Sequence, residues 1–182
     1  MSNYTAMQNK VVLVTGATNG IGKEAARQIA QAGATVVITD IDEVAAKAAA
    51  ERLTAMGRKA DHHKLDVTDP RAVEAAQGAT VKKHKRVDIL VNNAGIAISF
   101  KPAETMDDAT WNKVIDVNLN GVFWCCRAFG KVMLEQGGGS IVNVGSMSAE
   151  IVNYPQEQAN YNAPKAGVHH LTRSPAAKWA TR

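Results

Sequence analysis

A short apolar run, Val11-Val12-Leu13-Val14, feeds a glycine-punctuated turn, Thr15-Gly16-Ala17-Thr18-Asn19-Gly20-Ile21-Gly22, and residues 23–32 then read as helix. No other stretch limits the possible folds as much. The glycines let the backbone turn tightly and approach a pyrophosphate closely. The free N–H groups of the first helical turn, and the positive end of the helix dipole, point at whatever sits there. The plain alternative is a strand–helix connection whose glycines serve only the turn. Strand, turn and helix in that order favour phosphate binding. Ile21, Ala25, Ile29 and Ala32 group near one face of the helix.

The same alternation continues along the chain. Residues 35–39 form a β-branched run ended by Asp40, and residues 42–56 read as a helix closed by Gly57. Residues 60–67 make a weaker strand pattern containing Asp66. Thr68-Asp69-Pro70 opens a helix to about Lys85, with proline where a missing N–H matters least. Residues 87–91 are an apolar strand followed by Asn92-Asn93-Ala94-Gly95. Residues 107–135 read as one long helix, residues 140–144 as a strand, and a last helical pattern begins near Gln158. Strands alternating with helices predict a three-layer α/β fold, its mostly parallel sheet covered on both faces. In such sheets the ligand lies beyond the carboxyl ends of the strands. Thr15, Asp40, Asp66, Asn92 and Ser146 all fall at or just past predicted strand ends, which points to one shared site.

At 182 residues the chain fits a single domain over residues 1–182. Its net charge of +4 is mild and does not by itself indicate a nucleic-acid binder. No apolar run approaches the ~20 residues of a membrane span. Residues 1–9 are polar and lack a secretory signal's apolar stretch. The only cysteines, Cys125 and Cys126, are sequence neighbours and read as packed helix residues, so a reduced, cytoplasmic protein is expected. The basic run Lys82-Lys83-His84-Lys85-Arg86 suits a helix C-terminus and reads as solvated charge. His62-His63 and His169-His170 lack the separated ligand sets of a metal site, so no metal is expected.

Asp40 stands eighteen positions after Gly22. A carboxylate there accepts hydrogen bonds from an adenosine ribose and repels a 2′-phosphate. No Arg or Lys lies between Thr15 and Gly22. The expected cofactor is therefore NAD rather than NADP, although Asp40 could also cap the helix beginning near Asp42. Asp66 could bond the adenine edge or form a strand-end turn. Tyr161 and Lys165 are four apart and share a helix face. A phenol has a reference pKa near ~10, which a neighbouring cation lowers, turning a poor base into a usable one. Ser146, fifteen positions earlier, can bond a substrate hydroxyl or carbonyl. With a nicotinamide alongside, the chemistry is alcohol–carbonyl interconversion.

The combination Thr15-Gly16-(three residues)-Gly20-Ile21-Gly22, Asn92-Asn93-Ala94-Gly95, Ser146 and Tyr161-(three residues)-Lys165 resembles the short-chain dehydrogenase/reductase family over nearly the whole chain. The resemblance implies a Rossmann fold and a catalytic tetrad. Asn118 would hold a water in the proton relay, Ser146 would bond substrate, and Tyr161 would be the acid/base. Lys165 would bind ribose and lower the tyrosine pKa. Ser148 is the weaker candidate for the serine. Cofactor contacts are expected from Gly16, Thr18, Asn19, Gly20, Ile21, Gly22, Asp40, Asp66, Val67, Asn92, Ala94 and Gly95, with Tyr161 and Lys165. Residues 145–156, Tyr161-Asn162-Ala163 and Val168-His169-His170-Leu171-Thr172 are similar to the family's sugar-alcohol dehydrogenases. A polyol or ketone substrate is implied, and the family's tetramers imply a homo-oligomer.

Three departures accompany the resemblance. Family members run to about 250 residues as one domain, so this chain is expected to lack the last strands, leaving the strand at 140–144 as a bare edge. Pro164 stands where the family usually has serine. Pro175 and Lys178 replace an apolar residue and an acid. Proline inside a helix costs about 3 kcal/mol, which predicts a break or kink between Leu171 and Pro175. Two readings follow: an NAD-dependent dehydrogenase, or a catalytically weak or inactive nucleotide-binding relative or fragment that works only by assembly.

Overall fold

The computed structural model describes residues 7–182; the start of the polar N-terminal stretch, residues 1–6, lies outside them. Strand β1 (Val11–Thr15) is buried at every position. Helix α1 (Gly20–Gln31), β2 (Thr35–Asp40) and α2 (Glu43–Ala55) follow. Next come β3 (Ala60–Lys64), α3 (Pro70–His84) and β4 (Ile89–Asn92). The second half holds α4 (Asp108–Ile115), a π-helical turn (Asp116–Asn120), α5 (Gly121–Glu135), β5 (Ser140–Asn143) and α6 (Ala159–Trp179).

The five strands form one parallel sheet in the order β3-β2-β1-β4-β5. This is a Rossmann arrangement, and the chain direction across the sheet reverses between β1 and β4. Both faces of β1 are apolar because both are covered. Val11 and Leu13 pack with Val73, Ala76, Phe129 and Met133 of α3 and α5. Val12 and Val14 pack with Ala26 and Ala30 of α1 and with Ala46, Ala50 and Leu53 of α2.

Local chemistry sets the boundaries. Asp42 caps α2 by accepting from the Ala45 N–H at 3.0 Å, so Asp40 is not the cap. Asp69 caps α3, which carries Pro70 in its first turn, and Lys85 ends it in a left-handed conformation.

Five expectations are corrected. Strand β3 stops at Lys64, because the Asp66 carboxylate turns the chain by accepting the Thr68 N–H and hydroxyl at 2.9 and 2.7 Å. The long 107–135 helix is not uniformly α: the Gly121 N–H reaches back to the Asp116 carbonyl, and the widened turn holds the buried Asn118. Helix α1 packs through Gly22, Ala26 and Ala30, small residues that allow close approach to the sheet, while Ile21 is 72% exposed. No break occurs at Pro175, and α6 stays helical to Trp179. Nor is the basic run simply solvated. Lys83 and His84 contact Asp61 at 2.9 and 3.1 Å, and Arg86 forks onto Asp88 at 2.9 and 2.5 Å. Asp61 and Asp88 are buried acids: burial raises their pKa values, but these hydrogen bonds outweigh it and hold both carboxyls below the usual range.

Candidate functional site

The β1 and β4 ends interlock where the strand order reverses. Thr15 Oγ1 accepts the Asn93 and Ala94 N–H groups, each at 3.0 Å. The Asn93 side-chain amide donates to the Thr15 carbonyl at 3.0 Å and the Gly16 carbonyl at 2.8 Å. Gly16 takes a positive φ of 60°, and a β-carbon at Gly22 would overlap Asn93 and the Gly16 carbonyl. Glycine is therefore required by contact between two segments as well as by the turn. Asn19 precedes α1 in an extended conformation without a side-chain cap, and the first turn of α1 has no acidic residue. Its leading N–H groups remain available to an anion.

Beside this turn, Thr18 donates its hydroxyl to Asp40 Oδ2 at 2.6 Å. Asp40 also accepts the Asp42 N–H at 3.2 Å. Asp66 serves its own turn, and the adjacent Val67 is buried against Gly121. Asn92 is turned inward: it donates to Asn143 Oδ1 at 2.8 Å, and its own Oδ1 is buried without a hydrogen-bond partner.

The other wall comes from α6 and the π-helical turn. Lys165 is 5% exposed and donates to the Val144 carbonyl at 2.7 Å. Its Nζ lies 5.7 Å from the centre of the Tyr161 ring, as the four-residue spacing requires. Burial pushes the Lys165 pKa below the ordinary lysine value. Pro164, although inside α6, leaves this shared face intact. The Asn118 side chain pairs with Ile96, accepting its N–H at 2.8 Å and donating to its carbonyl at 2.7 Å. A β-carbon on Gly95 would stand 3.1 Å from Asn118 Oδ1 and 3.9 Å from Lys165 Nζ, which brings Gly95, Asn118 and Lys165 together. Ser146 is half-buried, and its Oγ accepts the Ser148 N–H at 3.1 Å. Ser148 is buried and already bonded to Asn153 at 3.0 Å.

The amides of Asn92-Asn93-Ala94-Gly95 read as able to brace neighbouring strands, and Asn93 does so; sequence reasoning missed two other side chains that hold this site. Asn160 fastens the loop after β4 through the Ile98 carbonyl at 3.2 Å. Gln158 is a buried polar residue at the start of α6. Their only sequence signal was position, next to motifs read for other residues. Cys125 and Cys126 are buried helix residues, and burial pushes their thiols up to about 12 and about 11.

Comparison with known proteins bears on this geometry. A sequence profile described as short chain dehydrogenase matches residues 10–182. Galactitol 2-dehydrogenase of Rhizobium johnstonii is 46% identical over 168 residues, covering 92% of this chain and 65% of the relative. An L-tagatose-forming galactitol 2-dehydrogenase of Cereibacter sphaeroides is 48% identical over 169 residues, covering 93% of this chain and 65% of the relative. The chain thus spans just under two thirds of the length of these curated relatives. A crystal structure of a gluconate 5-dehydrogenase from Burkholderia cenocepacia with NADP and tartrate superposes with a TM-score of 0.92 at 35% identity, covering 98% of this chain and 69% of that one.

Proposed function

This chain belongs to the short-chain dehydrogenase family, and from that premise we propose that it interconverts a secondary alcohol and a ketone on a polyol or sugar-type substrate with NAD. One observation carries the reading. Tyr161 and the buried amine of Lys165 share a face of α6, and Lys165 reaches Gly95, next to the loop that interlocks with the glycine turn. A proton-transfer group and a dinucleotide cradle therefore meet at the switch point of the sheet.

The residues fit a nicotinamide dinucleotide. The uncapped start of α1 offers N–H groups to a pyrophosphate, and Asp40 offers a carboxylate to ribose hydroxyls. Gly16, Thr18, Asn19, Gly20, Ile21, Gly22, Asp66, Val67, Asn92, Ala94 and Gly95 complete the proposed binding surface. When bound, the dinucleotide supplies the hydride chemistry. Ser146 hydrogen-bonds the substrate oxygen, and the Tyr161 phenol takes or returns its proton. Lys165, as an ammonium, favours the phenolate during that transfer. Asn118 would hold the relay water, while its side chain fixes the Ile96 backbone and, through it, the loop beside the substrate.

Asp40 supports NAD because a second negative group beside its carboxylate is repelled. The Burkholderia cenocepacia neighbour was solved with NADP, so the preference is this chain's own question. The galactitol dehydrogenases support the substrate class. A cytoplasmic homo-oligomer is proposed with it; among the described residues no helix is long and apolar enough to cross a membrane.

The test is incubation with NAD and a panel of polyols while following reduced-cofactor absorbance. Turnover that Tyr161→Phe abolishes supports the dehydrogenase. Nucleotide binding without turnover on any alcohol would replace it with the non-catalytic reading. A tenfold or greater preference for NADP in equilibrium binding, worth about 1.4 kcal/mol, would overturn the cofactor assignment.

A further inference from the structure

Gln158 joins three segments that the proposed chemistry needs in register. It is 6% exposed and stands immediately before α6, three residues ahead of Tyr161. Its main-chain carbonyl accepts the Tyr161 and Asn162 N–H groups at 2.9 and 3.0 Å. Its side chain makes no capping bond to the helix. Instead, Oε1 accepts the Ser99 hydroxyl at 3.1 Å, and Nε2 donates to Asn162 Oδ1 at 3.2 Å and Ser148 Oγ at 3.4 Å. Both amide protons and the carbonyl are thus committed. Ser148 in turn donates its N–H to Ser146 Oγ at 3.1 Å. An unbroken path of hydrogen bonds runs from the Ser146 hydroxyl through Ser148 and Gln158 to the backbone of Tyr161. A branch through Ser99 reaches the loop after β4, which Asn118 and Asn160 also fasten at Ile96 and Ile98.

Resting on the reading that Ser146 and Tyr161 act on one substrate oxygen, we propose that Gln158 is a positioning residue that sets the separation of these two hydroxyl groups and clamps the loop of residues 96–101 beside them. Ordinary helix capping does not account for it, because the side chain bonds two other loops and none of α6's free N–H groups. A polar network anchored on the buried Gln158 and Ser148 side chains holds its members in one arrangement. Misplacing a reacting group by about 1 Å costs on the order of 100-fold in rate.

Three variants of the full chain test this. Gln158→Met keeps length and burial but removes every side-chain bond, Ser148→Ala removes one link mildly, and the third combines both. The proposal expects kcat on the best alcohol to fall about 10- to 100-fold in each single variant, with NAD affinity within about twofold of the parent. The double variant should be no slower than the slower single, because both break one path. Single effects that multiply in the double, or a Gln158→Met kcat within about twofold of the parent, overturn it. If the parent shows no turnover, the dehydrogenase reading fails, and hydrogen exchange decides the brace separately. Faster exchange in residues 146–149 and 96–101 together, with the glycine turn unchanged, supports it. Loosening of only one segment, or neither, overturns it.

Discussion

Lys165 is a buried amine whose hydrogen bond goes to a neutral carbonyl, Val144, and among the described residues no carboxylate pairs with it. Burial disfavours its charged form and lowers its folded pKa below the ordinary 10.5. The sign follows from proton counting. Between the lowered folded value and 10.5, the unfolded chain holds more protons, so stability rises with pH. Below that window the folded protein carries the full cost of a buried ammonium. We expect the unfolding free energy of the parent, measured in urea, to gain on that of Lys165→Met as pH rises through this alkaline window. A difference that stays flat with pH would mean the amine is effectively solvated. Asp40 supports a second expectation at this scale. Its carboxylate is held by Thr18 at 2.6 Å and faces no neighbouring Arg or Lys within the glycine turn. Asp40→Ala should weaken NAD binding and bring NADP to parity or better in paired titrations, a change on the order of tenfold. An unchanged NAD/NADP ratio would remove Asp40 from the ribose.

Helix α6 carries two prolines and remains helical from Ala159 to Trp179. Sequence propensity pointed to a break or kink between Leu171 and Pro175, and the tertiary structure prevents the break. The ring of Trp179 packs on Gly130 of α5, and Val168 is buried with Val122 and Cys126, so contacts with α5 on either side of the proline hold the helix to its end. The local cost remains, because Pro175 offers no N–H to the Leu171 carbonyl. Pro175→Ala should therefore raise the unfolding free energy by about 1–3 kcal/mol, read from thermal or denaturant melts. An unchanged melt would mean that the α5 contacts offset the missing hydrogen bond. The π-helical turn at Asp116–Asn120 has the opposite origin. Every residue there is compatible with an α-helix, and the turn that holds Asn118 against Ile96 shows only in three dimensions.

Across the whole molecule the sheet has two unlike edges. Strand β3 presents Asp61, His62, His63 and Lys64, polar residues that discourage pairing with another sheet, whereas β5 presents Val142 at 48% exposure. Concentration-dependent association of this chain should therefore run through β5. Val142→Lys should reduce it in sedimentation velocity without lowering the melting temperature, and an unchanged distribution would place the contact elsewhere. The strand–turn–helix order, the parallel sheet and the gathering of polar residues at strand ends were legible in the sequence because each depends on residues close together in the chain. Glycine permits the turn at Gly16, β-branched runs make strands, and four-residue spacing puts Tyr161 and Lys165 on one helix face. Packing between elements decided the rest: which side of α1 is buried, which carbonyls the Asn93 amide grips in the glycine turn, and that Gln158 bonds Ser99, 59 residues away in sequence. The Asn93 and Gln158 bonds join segments brought together only by the fold, and a side chain's local neighbours carry no record of a partner on another strand.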